Sequence, residues 1–563
     1  MSRRTRPGRV LVLGRETRAF LAVIRSLGRR GLEVHVAWCP PGSLALRSRY
    51  VTRVHQLPAY SPTDDAWRDA FVALCRAQQF DLVVPTNDAT VVPLQVHRAH
   101  LEPHARIYLL SPEAFDVTFD KARTYELAVA AGVPLPRQML LPMPVAPETI
   151  GADWFPLMLK PRRSFRLDDL QRKQMVRRVP RPEDLARQLA AYDAEREILV
   201  QQWVRGTGVG VEMLAADGEV LLTFQHMRVH ERREGGADSY RVSQAPHPAL
   251  RDAATRMVRA LGYTGVVMFE FRVDRTTGDW VLLEINGRFW ASLPLCLHAG
   301  ADFPWHLYQL LVEGRRAFPQ HYRVGVTCRN WDLDLLWLSE NRRAPQGERV
   351  PVTTLAREAL SAITGGESSD TLVLDDPRPG LADLRRLTRR LGNRVRRSVG
   401  TRTAGLRGER ERAAQALRSA RDVLFVCKGN ICRSPFAEAV ARATLDGGAR
   451  VTSAGLLPRP DRPCPMESVE VARELGVDLV AHRSRVVTEA MMRDAQAIFT
   501  FDGGIHDDLA RRFPDARARL HRLGVLAPSD SVDIRDPYGS GVDEFRLTYA
   551  RIQRAIRGGA VRS

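Results

Sequence analysis

The sequence predicts a multidomain α/β protein, and three observations carry that prediction. Strand and helix signals alternate over the first ~110 residues, as a parallel α/β sheet requires. From about 115 to 345 the strands come closer together and the pattern becomes α+β. At residue 422 a new apolar strand opens a compact α/β unit that runs to residue 563. The whole chain of 563 residues corresponds to three or four domains at roughly 100–200 residues each.

In chain order, RVLVLG (9–14) is a short apolar strand, Phe20 to Leu27 an amphipathic helix ending at Gly28 to Gly31, and LEVHVAW (32–38) the next strand. DLVVPTND (81–88) and RIYLL (106–110) keep the same rhythm. No GxGxxG follows the first strand, so a dinucleotide site is unsupported. FPLMLKP (155–161), EILVQQWV (197–204), VGVEMLAA (209–216), GEVLLTFQH (218–226), GVVMFEFRV (265–273) and WVLLEIN (280–286) read as strands. Residues 346–420 are polar, basic and partly helical, and DVLFVC (422–427) starts the last unit.

Composition narrows the function classes. Charged residues at 26% and hydrophobic residues at 44% exclude a wholly disordered chain. No apolar run reaches the ~18 residues of a membrane span, and the first residues do not read as a signal peptide. Seven Cys in so long a chain do not make a disulfide scaffold, so a reducing cytoplasm is the expected compartment. The net charge of +19 is uneven: residues 381–421 hold 13 Arg against 3 acids. That run has no aromatic residue to stack on bases, so nucleic acid is an unfavoured partner. Peripheral contact with an anionic membrane is the remaining partner reading for it, and a solvated helical linker the preferred one. The cations are 80 Arg and only 4 Lys, namely Lys121, Lys160, Lys173 and Lys428. Arg and Lys are not interchangeable where a compact point charge is needed, so each Lys marks a candidate anion site.

The clearest chemistry is VLFVCKGNICRSPFAEAVARATL (423–445), read as strand, tight loop and helix. Successive backbone N–H groups in such a loop, backed by a helix N-terminus, converge on one phosphate-sized volume. Gly429 and Asn430 tolerate left-handed backbone. Arg433 can grip a phosphoryl group bidentately. Cys427 lies at the base of that positive field, which favours the nucleophilic thiolate. Asp536, in Asp536-Pro-Tyr-Gly539, offers a general acid for the leaving oxygen, a structural turn being the competing reading. With Ser453-Ala-Gly455 and His482-Arg-Ser-Arg485, residues 421–560 resemble the low-molecular-weight protein tyrosine phosphatases. The resemblance implies a flavodoxin-like parallel sheet, Cys427 as nucleophile, Arg433 as phosphate binder, Asp536 as general acid, and no cofactor. It implies that Asn430, Ser434, Ser453 and His482 shape the loop, and that Cys432 is the second loop thiol able to trap the nucleophile as a reversible disulfide. Ile431 implies phosphotyrosine over phosphoarginine, the substrate being a phosphotyrosine-containing protein. The stretch LLPRPDRPCP after Gly455 lacks the aromatic that walls the pocket in many members.

A second constellation lies at 270–288. Glu284 and Asn286 face one side of a strand, and Glu270 can join them from a paired strand. Two carboxylates and an amide oxygen suit Mg²⁺ that also binds substrate phosphates. The competing reading is exposed acids on a sheet face. Arg288 can hold a phosphoryl or acyl-phosphate oxygen, and Lys121 and Lys160 can reach phosphates. With the hinge Val200-Gln201-Gln202-Trp203-Val204, this ordering resembles the ATP-grasp superfamily over roughly residues 1–345. That implies a pre-ATP-grasp Rossmann-like domain (1–112) and an ATP-grasp domain (113–345), followed by a linker (346–420) and the phosphatase domain (421–563). It further implies ATP phosphates on Lys121, Lys160 and Arg288, adenine along residues 201–204, and Mg²⁺ on Glu270, Glu284 and Asn286. The reaction implied is carboxylate activation as an acyl phosphate for attack by an amine-type nucleophile, both small molecules. The lid segment PRRSFRLDDLQRKQMVRRV (161–179), which holds Lys173, has no Gly. That is the basis of an alternative in which a nucleotide-sensing, catalytically weak ATP-grasp domain regulates the phosphatase. Arg228, Arg232 and Arg233 are candidate carboxylate binders of a substrate loop, a solvated edge in an Arg-rich chain being the competing reading.

Overall fold

The structure is a computed structural model describing residues 7–15, 18–166, 169–192, 195–232, 238–344, 349–363, 365–399, 405–445, 448–527, 532–539 and 541–561. It divides into two compact units, Met1–Arg386 and Leu387–Ser563.

The first unit begins with a parallel four-stranded sheet ordered Val51–Val54, Glu33–Ala37, Arg9–Leu13, Leu82–Pro85. Along the strand Arg9–Leu13, Val10 and Val12 enter one core while Leu11 and Leu13 enter another. This is the alternation of a strand covered on both faces, and it explains why RVLVL is apolar throughout. The helix Arg18–Arg29 covers the first face and Ala66–Gln78 the second. Residues 106–110 make only a single parallel bridge, Val83↔Ile107, where a strand was expected.

A four-stranded antiparallel sheet follows, ordered Gln138–Pro142, Glu197–Gln202, Leu157–Pro161, Arg177–Val179. The Gly-free lid segment is a hairpin of Phe165–Arg166 against Asp169–Lys173; the side chain of Lys173 lies outside the described residues. The largest sheet has seven strands: Trp280–Asn286, Gly265–Val273, Thr207–Ala216, Glu219–Glu231, Asp238–Gln244, Thr327–Arg329 and Ser368–Ser369.

That last strand corrects the linker expected over 346–420. Ser368–Ser369 pairs in parallel with Thr327–Arg329, and Asp370 and Asp376 are buried against Arg241 and Arg25. At the other end, the helix Gly405–Ser419 sends Ala413 and Leu417 into the core of the second unit. The high arginine content of the stretch hides two buried acids and a sparse apolar stripe, and those are what tie it down.

The second unit is a four-stranded parallel sheet, Arg450–Gly455, Asp422–Cys427, Ala497–Thr500, Leu520–Arg522. This 2-1-3-4 order is the expected flavodoxin-like arrangement. Its topological switch point lies at the carboxyl end of the first strand, where such sheets bind ligands. Cys427 is the last residue of that strand.

Candidate active sites

In the second unit the loop after Asp422–Cys427 wraps around the Cys427 sulfur. The Asn430 backbone N–H donates to Cys427 Sγ at 3.1 Å and the Ser434 hydroxyl at 3.0 Å. Asn430 has φ +53°, in the left-handed region that Asn enters more readily than most residues. Its side chain fixes the turn: Nδ2 donates to Ser434 Oγ (2.9 Å) and Ser453 Oγ (2.8 Å), and Oδ1 accepts from the Arg485 N–H (2.8 Å). His482 Nε2 lies 2.8 Å from the Asn430 carbonyl. Burial lowers the His482 pKa below the ordinary His range despite that bond. Gly455 is required by close approach: a Cβ there would lie 2.9 Å from both Asn430 N and Gly429 C.

Arg433 is the first residue of the helix Arg433–Thr444 and is buried. Its Nη1 donates to Asp502 Oδ2 (2.9 Å) and to the Ile534 carbonyl (3.0 Å). Its Nη2 lies 2.8 Å from Asp536 Oδ2. Its Nε is buried and makes no hydrogen bond to the protein. Asp536, whose side chain is 36% exposed, thus meets the loop through Arg433. Cys432 precedes that helix and is buried, and burial pushes its thiol well above the usual range.

Several members of this network are not legible as motifs. Glu438 accepts from Ser453 Oγ (2.5 Å) and pairs with Arg442 and Arg485. Arg462 Nη2 donates to the Gly429 carbonyl (2.8 Å). Tyr549 stacks on Phe436 and donates to the Cys432 carbonyl (3.1 Å). Cys464 is a further buried thiol, pushed up to about 12 by burial.

In the first unit, Glu270 and Glu284 are directly opposed on paired antiparallel strands, and Asn286 lies two residues beyond Glu284 on the same face. Lys121 opens the helix Lys121–Ala130 behind the capping side chain of Asp120. Its Nζ donates to Ser164 Oγ (3.1 Å) and lies 4.0 Å from Glu284 Oε1. Lys160, on Leu157–Pro161, is buried; burial lowers its pKa, with Glu284 and Glu270 opposing that shift. Two of the four lysines therefore converge on the two carboxylates. Arg288 reaches Asp88 through two bonds (2.7 and 3.2 Å). Gln202, Trp203 and Val204 line a cavity of about 450 Å³ that Lys160 also reaches. Arg178 lies over the Trp203 ring at 4.5 Å. Gln201 reaches the same cavity, but its amide is turned to Gln138 Oε1 (2.9 Å) and the Tyr125 hydroxyl (3.3 Å).

The donor set fits a hard divalent cation, since all candidate ligand atoms are oxygens. Burial opposes the charge on Glu270, but the Arg228 guanidinium, at 2.7 and 2.8 Å from its two oxygens, holds the carboxyl below the usual range. Arg228, read from the sequence as either a carboxylate binder or part of a solvated edge, is thus mostly buried and paired within the protein. Arg232 is likewise engaged with Glu340 (2.8 Å), and Arg233 lies outside the described residues. An unpaired guanidinium so close to buried carboxylates would be costly, and internal pairing is the cheaper arrangement. Asp120 holds the lid by receiving Arg162 at 2.7 Å.

Residues 422–560 match the family model "Low molecular weight phosphotyrosine protein phosphatase", and residues 194–331 match "ATP-grasp in the biosynthetic pathway with Ter operon". The "Probable low molecular weight protein-tyrosine-phosphatase EpsP" of Ralstonia nicotianae is 34% identical over 134 residues, which is 24% of this chain and 90% of that protein. The "Protein-arginine-phosphatase" of Geobacillus stearothermophilus is 29% identical over 134 residues, with the same coverage of 24% and 90%. Among solved structures, the L-amino acid ligase from Bacillus licheniformis aligns over 55% of this chain and 75% of its own, at 17% identity and a TM-score of 0.43.

Proposed function

Because the chain belongs to the low-molecular-weight phosphotyrosine protein phosphatases through residues 422–560 and carries an ATP-grasp unit before them, we propose that it is bifunctional. The second unit hydrolyses phosphotyrosine in proteins, and the first joins a small carboxylate to an amine-type nucleophile at the expense of ATP. Both substrates are met in the cytoplasm.

The observation that carries the phosphatase reading is the pair of donors on Cys427 Sγ, Asn430 N–H and Ser434 Oγ, which stabilise a thiolate. The thiolate attacks phosphorus, and an S–P bond forms as the P–O bond to the aryl group breaks. Asp536 gives its proton to the leaving oxygen. Water then cleaves the S–P bond, returns a proton to Asp536 and releases phosphate. Arg433 holds the phosphoryl oxygens throughout, with its unpartnered Nε among the donors. Ile431 at the loop supports the phosphotyrosine preference. Loss of aryl-phosphate hydrolysis in Cys427→Ser is the test, and intact turnover in that variant would reject the assignment.

For the first unit the supporting observation is the convergence of Lys121 and Lys160 on Glu270 and Glu284. Glu270, Glu284 and Asn286 would hold Mg²⁺, which neutralises charge on the transferred phosphoryl group when bound. Lys121, Lys160 and Arg288 bind phosphate oxygens, while residues 201–204 border adenine. A substrate carboxylate oxygen attacks the γ-phosphorus and ADP leaves. The amine then attacks the acyl carbon, loses a proton and expels phosphate. Carboxylate-dependent ADP release, abolished in Glu284→Ala, is expected. Nucleotide binding without ADP release over a broad carboxylate and amine panel would instead favour the nucleotide-sensing alternative, whose basis is the Gly-free lid.

A further inference from the structure

A cavity of about 790 Å³ in the first unit is lined by both charged and apolar side chains. Its lining includes Lys121, Glu284, Asn286 and Arg288, the groups assigned to phosphoryl transfer. It also includes an apolar group, beside further charged residues such as Asp116, Arg163 and Glu197. Val92 and Val96 stand at i and i+4 on the helix Asp88–Val96, and Phe115 and Phe119 at i and i+4 on Pro112–Phe119. Spacing of four puts each pair on one helix face. The two Phe rings lie 4.5 Å apart. Val96 is 47% exposed and lines this cavity. Phe165 of the lid hairpin lines the same space.

We infer that this cavity seats the carboxylate substrate of the ATP-grasp unit, and that the substrate carries a bulky apolar group, aromatic or branched aliphatic. The inference rests on the ATP-grasp reading and adds the substrate class to it. The volume matches a small-molecule site, in which apolar walls supply affinity and a few polar groups at one end fix orientation. With the carboxylate beside Glu284 and Arg288, the body of the substrate extends over the Phe115–Phe119 and Val92–Val96 pairs. Phe165 of the hairpin adds a further apolar side chain to that wall. A small or wholly polar carboxylate would leave Val96 and the open faces of the partly buried Phe115 and Phe119 in water and would gain nothing from them. Each methylene buried there is worth about 0.8 kcal/mol, or roughly a fourfold gain in affinity.

The test is saturation-transfer NMR on the full chain with MgADP, using 3-phenylpropionate, acetate and succinate as probes. Saturation transfer to the ring protons of 3-phenylpropionate is expected, with little to acetate or succinate. Val96→Asp should cut the 3-phenylpropionate signal at least threefold, its unfolding midpoint serving as the folding control. Equal signals from the wild type and Val96→Asp, or a stronger response from succinate, would overturn the proposal. Turnover does not enter this readout. The ATP-grasp reading fails separately, when displacement of a fluorescent nucleotide is unchanged by Lys160→Met.

Discussion

Arg433 Nη2 and Asp536 Oδ2 lie 2.8 Å apart, so the group assigned to grip phosphate is tied to the group assigned to protonate the leaving oxygen. The Asp536→Ala variant should separate these functions. Loss of the acid is expected to lower kcat on an aryl phosphate about 10²–10⁴-fold. Competitive inhibition by orthophosphate should be as strong or stronger, because Nη2 loses a carboxylate competitor. Steady-state kinetics with phosphate as inhibitor measure both, and an unchanged kcat would remove Asp536 from the mechanism.

Gly455 places its Cα where a methyl group would meet loop backbone, 2.9 Å from Asn430 N and Gly429 C. Backbone cannot rotate aside as a side-chain tip can, so Gly455→Ala must shift the loop. A cost of about 1–3 kcal/mol is expected from overpacking. A displacement of the loop by an ångström would lower kcat/KM about 10²-fold. Calorimetry and phosphatase kinetics on the same variant provide the check, and wild-type values for both would show that the contact relaxes freely.

What could be read from sequence follows a physical rule. The loop was legible because Cys427 to Ser434 are consecutive, and a strand-loop-helix string fixes their relative positions. Glu284 and Asn286 are legible as one face because they lie two apart on one strand, and Glu270 joins them through the antiparallel register of the two strands. Asp502 and Arg462 are not, since each reaches the loop from a distant segment and resembles any surface charge of an acid- and Arg-rich chain; Glu438 lies on the helix that follows the loop, but its bond to Ser453, 15 residues away, leaves no mark in the sequence. The pairing of Arg228 is not legible for the same reason: its partner Glu270 lies 42 residues away. The tie of residues 346–386 to the first unit is not legible because the pairing of Ser368–Ser369 and the burial of Asp370 and Asp376 give no periodic signal.

The histidines of the second unit give it a defined acid sensitivity. Burial lowers the pKa of His482, His506 and His521 from the ordinary value of 6.5, and these are all the histidines in that unit. The unfolded chain therefore takes up protons before the folded one does as pH falls through 6.5. Their contribution to stability is fully present above that value and is lost progressively below it, down to the folded pKa values. Calorimetric midpoints of the phosphatase transition should fall between pH 7 and 5, with a shallower slope in His482→Gln. A flat midpoint over that range would mean that the three groups titrate alike in both states.

Asp376 shows how firmly the presumed linker belongs to the first unit. It is completely buried, accepts from Arg25 Nε (2.9 Å), Ser48 Oγ (2.7 Å) and the Arg49 N–H (2.9 Å), and its own carbonyl accepts from Arg25 Nη2 (2.8 Å). Arg25 is itself buried, and burial is the first cause that lowers its pKa, against the stabilising effect of Asp376. Removing one member of a buried pair leaves the other uncompensated, at a cost of about 3–5 kcal/mol. Asp376→Ala should lower the calorimetric midpoint of the first unit while the phosphatase transition and aryl-phosphate turnover stay in place. A chain truncated after residue 345 loses the strand Ser368–Ser369 and both buried acids, and should be insoluble. One truncated after residue 386 retains them and should fold. Equal solubility and midpoint for the two truncations would return residues 346–386 to the status of a linker.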